Sequence, residues 1–169
     1  DMGLGKTIQT LALLQNEKEQ APESRDFMVT ESEAKKSKTA EQINLFDAPI
    51  IKDYVSKAKV TRTSLLIVPT SLIFNWINEA AKFTPDLKVF VHIGQNRLKA
   101  NTHFEDYDLI ISTYGTVRND ETLFVNFGFH YIILDESQNI KNPHSRTFTT
   151  LRSLHAAHRL TLTGTPFEN

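Results

Sequence analysis

The stretch DMGLGKT, residues 1–7, decides the fold prediction because it brings two glycines, a lysine and a threonine into one short segment. This is the pattern of a phosphate-binding loop, in which backbone N–H groups surround the phosphates of a nucleotide and the lysine reaches the outermost ones. The complete pattern has another glycine further upstream, at a position immediately before Asp1. The match is therefore either accidental or the end of a loop that begins upstream of the chain.

Composition limits the kind of protein. With 169 residues, of which 40% are apolar, the chain has the size and apolar content of one globular domain. A net charge of −1 gives no broad positive field, so contacts with nucleic acid must come from local basic or amide groups. The absence of cysteine excludes disulfides and thiolate metal sites and fits a reducing, intracellular compartment. No stretch approaches the roughly 18 unbroken apolar residues of a membrane span, so we expect no membrane partner.

Five short runs of β-branched and aliphatic residues recur along the chain. They are continuous rather than alternating in polarity, which is typical of strands that are buried on both faces of a sheet. We predict strands at SLLIV (64–68), KVFVHI (88–93), LIIST (109–113), YIILD (131–135) and LTLTG (160–164).

Segments with helical spacing separate several of these runs. The first follows DMGLGKT and contains Ile8, Leu11 and Leu14. The other two are a segment with Leu72, Trp76, Ala80 and Phe83 on one stripe, ending at Thr84-Pro85, and a segment from Pro143 towards Leu154, capped by Asn142. Strands that alternate with helices predict an α/β fold, with a mostly parallel sheet and helices on both faces.

The segment from about Asn16 to Arg62 interrupts this alternation, so we predict one domain with a charged insertion. The first half of the insertion is charged and nearly free of large apolar groups, as in a solvated loop. The second half has an apolar helical pattern that Pro49 must kink or divide, formed by Ile43, Phe46, Ile50, Tyr54 and Val55. We expect this stripe to pack against the domain; the alternative is a helix that docks a protein partner.

An acidic pair, Asp135 and Glu136, stands at the end of the predicted strand YIILD. Carboxylates beside buried apolar residues are costly unless they have a function. Taken alone, the pair would more simply be a helix cap or a loop charge. Together with GLGKT on a parallel sheet, it matches a P-loop nucleotide hydrolase, in which the strand-end aspartate and the loop hydroxyl, here Thr7, hold Mg²⁺.

Each residue type in this pattern has a chemical reason. Gly3 and Gly5 let backbone amides approach phosphate, and the positive end of the helix that starts near Lys6 points at the same oxygens. Lys6 neutralises charge on the transferring phosphoryl group, and Glu136 polarises the attacking water. The predicted phosphate-binding residues are Gly3, Leu4, Gly5, Lys6 and Thr7, the metal ligands Thr7 and Asp135, and the catalytic residues Lys6, Asp135 and Glu136.

Five segments in chain order closely resemble motifs I, Ia, Ib, II and III of the first motor lobe of Swi/Snf-family helicase-like ATPases. The segments are DMGLGKT (1–7), LLIVPTSLIFNW (65–76), IISTYGTV (110–117), IILDESQNIKN (132–142) and LTLTGTPFEN (160–169). The resemblance covers nearly the whole chain apart from the insertion. Residues 139–142 and the Thr-Gly-Thr-Pro of residues 163–166 are similar to DNA translocases rather than to RNA helicases.

The resemblance implies a RecA-like lobe that binds ATP and Mg²⁺ and takes part in ATP-driven movement along double-stranded DNA without strand separation. It also implies that the first strand and upstream helices precede Asp1, and that a second RecA-like lobe of the parent protein follows. By motif position, the residues facing the DNA backbone are Pro69, Thr70, Ser71, Ser112, Thr113, Lys141 and Asn142. Gln138, Thr163, Gly164 and Thr165 resemble elements that couple nucleotide state to the DNA face.

Catalysis in this class needs an arginine from the second lobe, so we expect negligible ATPase activity from the 169 residues alone. Two alternatives stay open. One is the motor lobe of an ATP-dependent RNA helicase or of a restriction system. The other is a non-hydrolysing scaffold, against which the intact Lys6, Thr7, Asp135 and Glu136 argue.

Three other features have simpler interpretations. His155 and His158, three apart on a predicted helix, lack a third metal ligand and are expected to be solvated. Trp76 is more simply a core residue than a base-stacking platform. The basic group after the second motif would either help to hold a phosphate chain or form a solvated helix face; it comprises Lys141, Arg146, Arg152 and Arg159.

Overall fold

The computed structural model describes residues 4–20, 61–140 and 142–163. At their centre is a five-stranded sheet in which all the neighbouring strands are parallel. In chain order, the strands are β1 (Ser64–Val68), β2 (Val89–His92), β3 (Leu109–Thr113), β4 (Gly128–Asp135) and β5 (His155–Leu162). Their spatial order across the sheet is β2-β3-β1-β4-β5. The predicted α/β class with a parallel sheet and helices is therefore confirmed.

Helices and short 3-10 turns connect the strands. The α-helices of the described residues are α1 (Leu4–Gln20), α2 (Ile73–Phe83), α3 (Tyr114–Asn119), α4 (Glu121–Val125) and α5 (Arg146–Ser153). The 3-10 turns are Thr70–Leu72, Asn101–Asp106 and Ser137–Ile140. None of these helices combines the length and the apolar content needed to cross a bilayer.

The core has two parts, one on each face of the sheet. All five residues of β1 are buried, and successive side chains point to opposite faces. Leu66 and Val68 pack in a cluster with apolar residues of α1 and α2, such as Leu11 and Trp76. Leu65 and Ile67 pack in a second cluster with residues of α3, α4 and α5, including Val117, Phe124 and Leu151. The continuous apolar run of β1 thus forms because both of its faces are covered.

The strand register brings four strand ends to one edge of the sheet. Thr113 at the end of β3 lies opposite Val68 at the end of β1. Asp135 at the end of β4 lies opposite Leu162 at the end of β5. Parallel strands place all of these carboxyl ends on the same side, which is where parallel α/β sheets bind their ligands.

The prediction for the last strand was wrong in extent. The sequence placed it at 160–164 and put His155 and His158 on a helix, whereas β5 begins at His155. β5 is an edge strand of the described sheet and is only partly buried, so its first half forms without an apolar run. Pairing with β4, in which Gly128 lies opposite His155, holds that half in place.

The predicted start of the third helix was also wrong. The sequence proposed Asn142 as the cap of a helix beginning at Pro143, whereas α5 begins at Arg146. Ser145 is the actual cap, because its Oγ accepts a hydrogen bond of 3.1 Å from the Phe148 N–H. The Asn142 side chain instead accepts a bond from the His144 N–H at 2.9 Å and forms a turn ahead of the helix.

α1 continues through residues that the sequence assigned to the insertion. Its last turn reaches Gln20, whose amide donates to the Asn16 Oδ1 at 2.8 Å, one helical turn away. Such pairs stabilise a solvated, polar helix end without apolar burial. Residues 21–60, with the predicted amphipathic stripe, lie outside the described residues.

The second predicted helix is confirmed, and it ends at Phe83 ahead of Thr84-Pro85 as expected. Trp76 and Ala80 are buried on its stripe, but Phe83 is 42% exposed and does not belong to it. The sequence analysis did not predict α3 and α4, which contain six and five residues. Helices this short do not complete two turns, so they leave no recognisable periodicity.

Candidate functional site

The start of α1 lies at the carboxyl edge of the sheet, against the end of β5. The Lys6 ammonium donates a hydrogen bond to the backbone carbonyl of Thr163, although the two residues are 157 positions apart. Thr163 directly follows Leu162, the partner of Asp135 in the β4–β5 pair. The first predicted motif and the acidic pair therefore meet at one place.

The other residues of the motif at positions 1–7 differ in burial, and some lie outside the described residues. Leu4 is the first residue of α1, and Thr7 is buried in its first turns. Gly5 is exposed, and apart from its chain neighbours and its own helix backbone, a Cβ built there would meet no atom of the described residues within 4 Å. Packing within the protein thus does not require this glycine, which agrees with a glycine kept for close approach of a ligand. Gly3 lies outside the described residues.

The Asp135 carboxylate is held by N–H donors on both oxygens. The Trp76 indole Nε1–H donates to Oδ2 at 2.8 Å, and the Glu136 backbone N–H donates to Oδ1 at 3.0 Å. From α3, the Tyr114 hydroxyl donates to the Asp135 backbone carbonyl at 2.6 Å. Asp135 is 9% exposed, so its side chain is oriented by the protein rather than by solvent.

The ionisation of the site follows from burial and from these neighbours. Burial raises the pKa of Asp135, while the hydrogen bond from Trp76 and the charge of Lys6 act in the opposite direction. Burial also raises the pKa of Tyr114, and the negative charges of Asp135 and Glu136 add to that effect. Tyr114 therefore stays a neutral hydroxyl donor towards the Asp135 carbonyl. The charge of Lys6 acts on the pKa of Asp135, so the ammonium and the carboxylate interact electrostatically.

Glu136 has a left-handed backbone conformation, with φ of 52°. This conformation costs a residue with a Cβ roughly 1–2 kcal/mol. The Glu136 N–H donates to the Leu162 carbonyl at 2.9 Å as well as to the Asp135 Oδ1, and these bonds hold the strained residue in place. Strain of this kind concentrates at functional sites, where the surrounding structure stabilises it.

Gln138 lies beside Glu136 in the 3-10 turn after β4. The amide nitrogen of Gln138 donates to the Glu136 carboxylate at Oε2. The amide oxygen of Gln138 is buried and has no hydrogen-bond partner within the described part of the chain. Next to Asp135, Glu136 therefore provides an oriented carboxylate, and Gln138 provides one acceptor without a partner among the described residues.

The residues predicted to face DNA divide into two groups. The turn that leaves β1 contains Pro69, Thr70 and Ser71, and the last two are exposed. Ser112 is fully buried and its hydroxyl donates to the His92 carbonyl at 2.8 Å. Thr113 is largely buried, and its Oγ1 accepts a bond from the Thr116 N–H as the cap of α3.

Asn142 is exposed near α5. Lys141, Gly164 and Thr165 lie outside the described residues. Among the residues predicted to contact the DNA backbone, the structure thus places the side chains of Thr70, Ser71 and Asn142 at the surface, and it places those of Ser112 and Thr113 inside the fold.

Two contacts of Asp135 were missed at the sequence level. Trp76 is 1% exposed, so the core interpretation is correct, but the indole also bonds the carboxylate. A buried tryptophan needs an acceptor for its N–H, and the strand-end aspartate was an available candidate. Tyr114 follows directly after β3, and its position at a strand end was the only signal of its contact.

Two histidines, His155 and His158, and one arginine, Arg159, lie in β5. The two histidines are three residues apart, so their side chains leave opposite faces of the strand. Within the described residues no group of three His, Cys, Asp or Glu side chains could hold a metal ion. The Arg159 guanidinium donates to the carbonyls of Leu151, at 3.0 Å, and Leu154, at the end of α5. Arg159 thus caps a helix instead of contributing to a free basic surface.

The carboxyl edge of this parallel α/β sheet brings together a lysine and a hydroxyl residue from the start of α1 and the acidic pair at the end of β4. This combination defines the P-loop class of nucleotide-binding proteins. Within that class, residues 1–169 match the family described as SNF2-related domain, and the chain belongs to this family. Membership implies the use of a nucleotide.

Individual relatives agree with this assignment. The putative ATP-dependent helicase/translocase YwqA of Bacillus subtilis is 33% identical over the whole chain, and the TATA-binding protein-associated factor MOT1 of Saccharomyces cerevisiae is 32% identical. The chain corresponds to 15% of the length of the first and 8% of the second. The structure of the Sulfolobus solfataricus SWI2/SNF2 ATPase core in complex with dsDNA is 32% identical, with a TM-score of 0.68, and the match covers 100% of this chain and 27% of that one.

Proposed function

We propose that this chain is the first ATP-binding lobe of an ATP-driven double-stranded DNA translocase or remodeller of the Swi/Snf type. The observation that carries the proposal is the meeting of Lys6 with the end of β5, beside the oriented carboxylate of Asp135. A lysine and a carboxylate from distant parts of the sequence converge in this way where a nucleotide and its metal are bound together.

The residues present fit Mg²⁺ and ATP. Thr7 and Asp135 offer hydroxyl and carboxylate oxygens, which are the donors that Mg²⁺ prefers, and we assign them as its ligands. Bound Mg²⁺ would supply positive charge that neutralises the phosphate oxygens. We assign Lys6 to the outer phosphates, for which it would exchange its bond to the Thr163 carbonyl. Gly3, Leu4 and Gly5 would bind phosphate through backbone N–H groups.

Glu136 is the proposed base that orients the attacking water. Its carboxylate is already held by the Gln138 amide, and its backbone is fixed by two acceptors. A carboxylate with a fixed direction can orient water without being strongly basic, since the transition state of phosphoryl transfer is loose. We assign Gln138, Thr163, Gly164 and Thr165 to coupling, because Thr163 contacts Lys6 and Gln138 contacts Glu136.

We propose that duplex DNA binds at the turn Pro69–Ser71 and that Lys141 and Asn142 also contact it. Exposed hydroxyls and amides can bind phosphates without reading sequence. The related Sulfolobus ATPase core was solved with dsDNA, which supports the choice of duplex. Ser112 and Thr113 would support this surface from inside, because their hydroxyls are bonded within the protein. A second RecA-like lobe of the parent protein completes the proposed set of partners, and a protein partner docked on the insertion stays the alternative to packing of the insertion against the domain.

The test is ATP hydrolysis by the full-length parent protein with and without duplex DNA. We expect stimulation by duplex DNA, and a loss of at least 100-fold in the stimulated rate for Lys6→Ala and for Glu136→Gln. Lys18→Ala is the matched control. Lys18 lies in the same helix but bonds Asp108 at 2.9 Å on an exposed surface, so its removal is expected to leave hydrolysis unchanged.

Two results would contradict the proposal. Stimulation by RNA instead of duplex DNA would favour an RNA helicase lobe. A Lys6→Ala parent that keeps its full biological activity would favour a non-hydrolysing scaffold.

A further inference from the structure

We propose that Trp76 and Tyr114 are positioning residues that hold Asp135 from opposite faces of the sheet and link two strand-end turns to the metal-binding carboxylate. This inference rests on the proposed function, since it assigns a role to residues around the proposed Mg²⁺ ligand. It concerns residues that contact Asp135 and not the nucleotide.

Trp76 acts from the face covered by α1 and α2. Its indole is 1% exposed and packs in the apolar cluster with Leu11, Val68 and Ile73. A ring fixed by packing has little freedom, so its N–H points in a defined direction, towards the Asp135 Oδ2 at 2.8 Å. The other oxygen of Asp135 accepts the Glu136 N–H. Each carboxylate oxygen has a further lone pair, so both contacts orient the group and leave room for a metal.

Tyr114 acts from the opposite face. It is the first residue of α3 and packs against the cluster that contains Val117 and Phe124. Its hydroxyl donates to the Asp135 backbone carbonyl at 2.6 Å. Trp76 therefore restrains the side chain of Asp135, and Tyr114 restrains the backbone from which that side chain projects.

Both contacts are continuous with strand ends that we assign to the DNA face or to its support from inside. α2 follows the turn Thr70–Leu72, which is closed by a bond of 3.0 Å from the Leu72 N–H to the Pro69 carbonyl. α3 follows Thr113, whose hydroxyl caps it. A helix moves as one unit, so a displacement of either turn is transmitted to a group that touches Asp135. The contacts provide a short physical connection from the DNA face to the metal ligand.

The experiment uses the full-length parent protein. Trp76→Phe and Tyr114→Phe are compared with wild type in two measurements. The first is the Mg²⁺ concentration at which binding of a fluorescent ADP analogue is half-maximal. The second is the stimulation ratio, which is the rate of ATP hydrolysis with duplex DNA divided by the rate without it. Replacing Trp76 by 3-benzothienylalanine, which keeps the shape of indole but lacks the N–H, serves as a second variant if Trp76→Phe fails to fold.

Matched controls separate positioning from packing. Ile73→Val trims the same helix and the same cluster without touching Asp135. Tyr131→Phe removes a hydroxyl from β4, the strand that carries Asp135. Both controls are expected to have the half-saturation and the stimulation ratio of wild type.

We expect the half-saturating Mg²⁺ concentration to rise 10-fold or more in Trp76→Phe, in the range found when residues behind a metal ligand are changed. We expect Tyr114→Phe to lower the stimulation ratio several-fold. The inference would be overturned if Trp76→Phe and Ile73→Val had the same half-saturating Mg²⁺ concentration, whether that value was unchanged or equally raised. The proposed function would then remain intact. A wild-type parent without Mg²⁺-dependent nucleotide binding would instead overturn the proposed function.

Discussion

Glu136 combines a proposed catalytic carboxylate with a backbone conformation that favours glycine. Natural selection for stability alone would place glycine or asparagine at φ of 52°, because a Cβ is strained there. Retaining glutamate at this position is consistent with a functional requirement for its carboxylate. The stability of the protein and its activity therefore have opposite requirements at this residue.

The first prediction compares two substitutions of Glu136. Both Glu136→Gly and Glu136→Gln remove the carboxylate and are expected to abolish hydrolysis in the parent protein. Only the glycine removes the strain of about 1–2 kcal/mol, partly offset by its larger unfolded-state entropy of about 0.5–1 kcal/mol. We expect Glu136→Gly to exceed Glu136→Gln in free energy of unfolding by up to about 1.5 kcal/mol. Denaturant unfolding of the parent protein measures the difference, and a less stable glycine variant would contradict the prediction.

At this scale the sequence predicts residue types better than their partners. The pattern GLGKT and the pair Asp135-Glu136 indicate a nucleotide site because their chemistry is specific. The bond from Trp76 to Asp135 could not be predicted, because it joins positions 59 apart whose distance depends on how α2 packs. The same holds for the burial of Ser112, which depends on β2 and its His92 carbonyl.

At the scale of elements, β2 ends in a buried polar network. His92 is fully buried, and its Nε2 pairs with the Asp120 carboxylate at 2.9 Å. The Leu98 N–H donates to the other ring nitrogen at 3.3 Å, which leaves the hydrogen of a neutral ring on Nε2, towards Asp120. The Arg97 guanidinium also bonds Asp120, at 2.9 Å. The network fixes the end of an edge strand to the loop after α3.

The network predicts a dependence of stability on pH. Burial lowers the pKa of His92 below its ordinary value of 6.5, and Asp120 opposes this effect only in part. Above pH 6.5 the histidine is neutral in both the folded and the unfolded states. Below it, the unfolded chain takes up a proton that the folded protein resists, so the free energy of unfolding falls as the pH decreases from 6.5 towards the lowered pKa.

The measurement is denaturant unfolding between pH 5 and 8 for wild type, His92→Gln and His103→Gln. We expect His92→Gln to be less stable at neutral pH and to lose part of the decline on acidification. His103 is exposed and, within the described part of the chain, pairs with Asp106 at the surface, so its variant is expected to keep the decline of wild type. An unchanged pH profile in His92→Gln would contradict the assignment.

Some helices and strands were predicted from the sequence with correct bounds, and others were not. The bounds of β1 and β3 were predicted correctly, because strands buried on both faces need continuous apolar runs. β5 and the end of α1 were not, because an edge strand and a solvated helix end are held by pairing and by polar contacts. Short elements such as α4 depend on packing around them and have no pattern of their own.

At the scale of the whole molecule, the carboxyl edge of the sheet carries both proposed binding surfaces. The site of Lys6 and Asp135 lies at the ends of β4 and β5, and the turn Thr70–Leu72 lies at the end of the neighbouring β1. Because one sheet positions both surfaces, we expect a change in strand-end geometry at one surface to shift the residues at the other. With a net charge of −1, the proposed binding of DNA would depend on a few local contacts.

The last prediction separates exposed from buried hydroxyls at this edge. In the parent protein, Thr70→Ala combined with Ser71→Ala is expected to weaken duplex DNA binding several-fold and equally for all sequences, because contacts to phosphate carry no sequence information. Ser112→Ala is expected to leave DNA affinity unchanged and to lower the free energy of unfolding by about 1–2 kcal/mol, since it leaves the buried His92 carbonyl without its donor.

Salt dependence gives this prediction a second readout. Neutral hydroxyls displace no counterions, so the slope of log affinity against log salt is expected to stay the same in the Thr70–Ser71 double variant. Lys141→Ala, which removes a charge from the proposed DNA-contacting residues, is expected to reduce that slope by about 1. Filter-binding or fluorescence anisotropy titrations with two unrelated duplexes at several salt concentrations measure both quantities. A loss of affinity in Ser112→Ala as large as in the double variant would show that the buried hydroxyl, and not the exposed turn, controls contact with DNA.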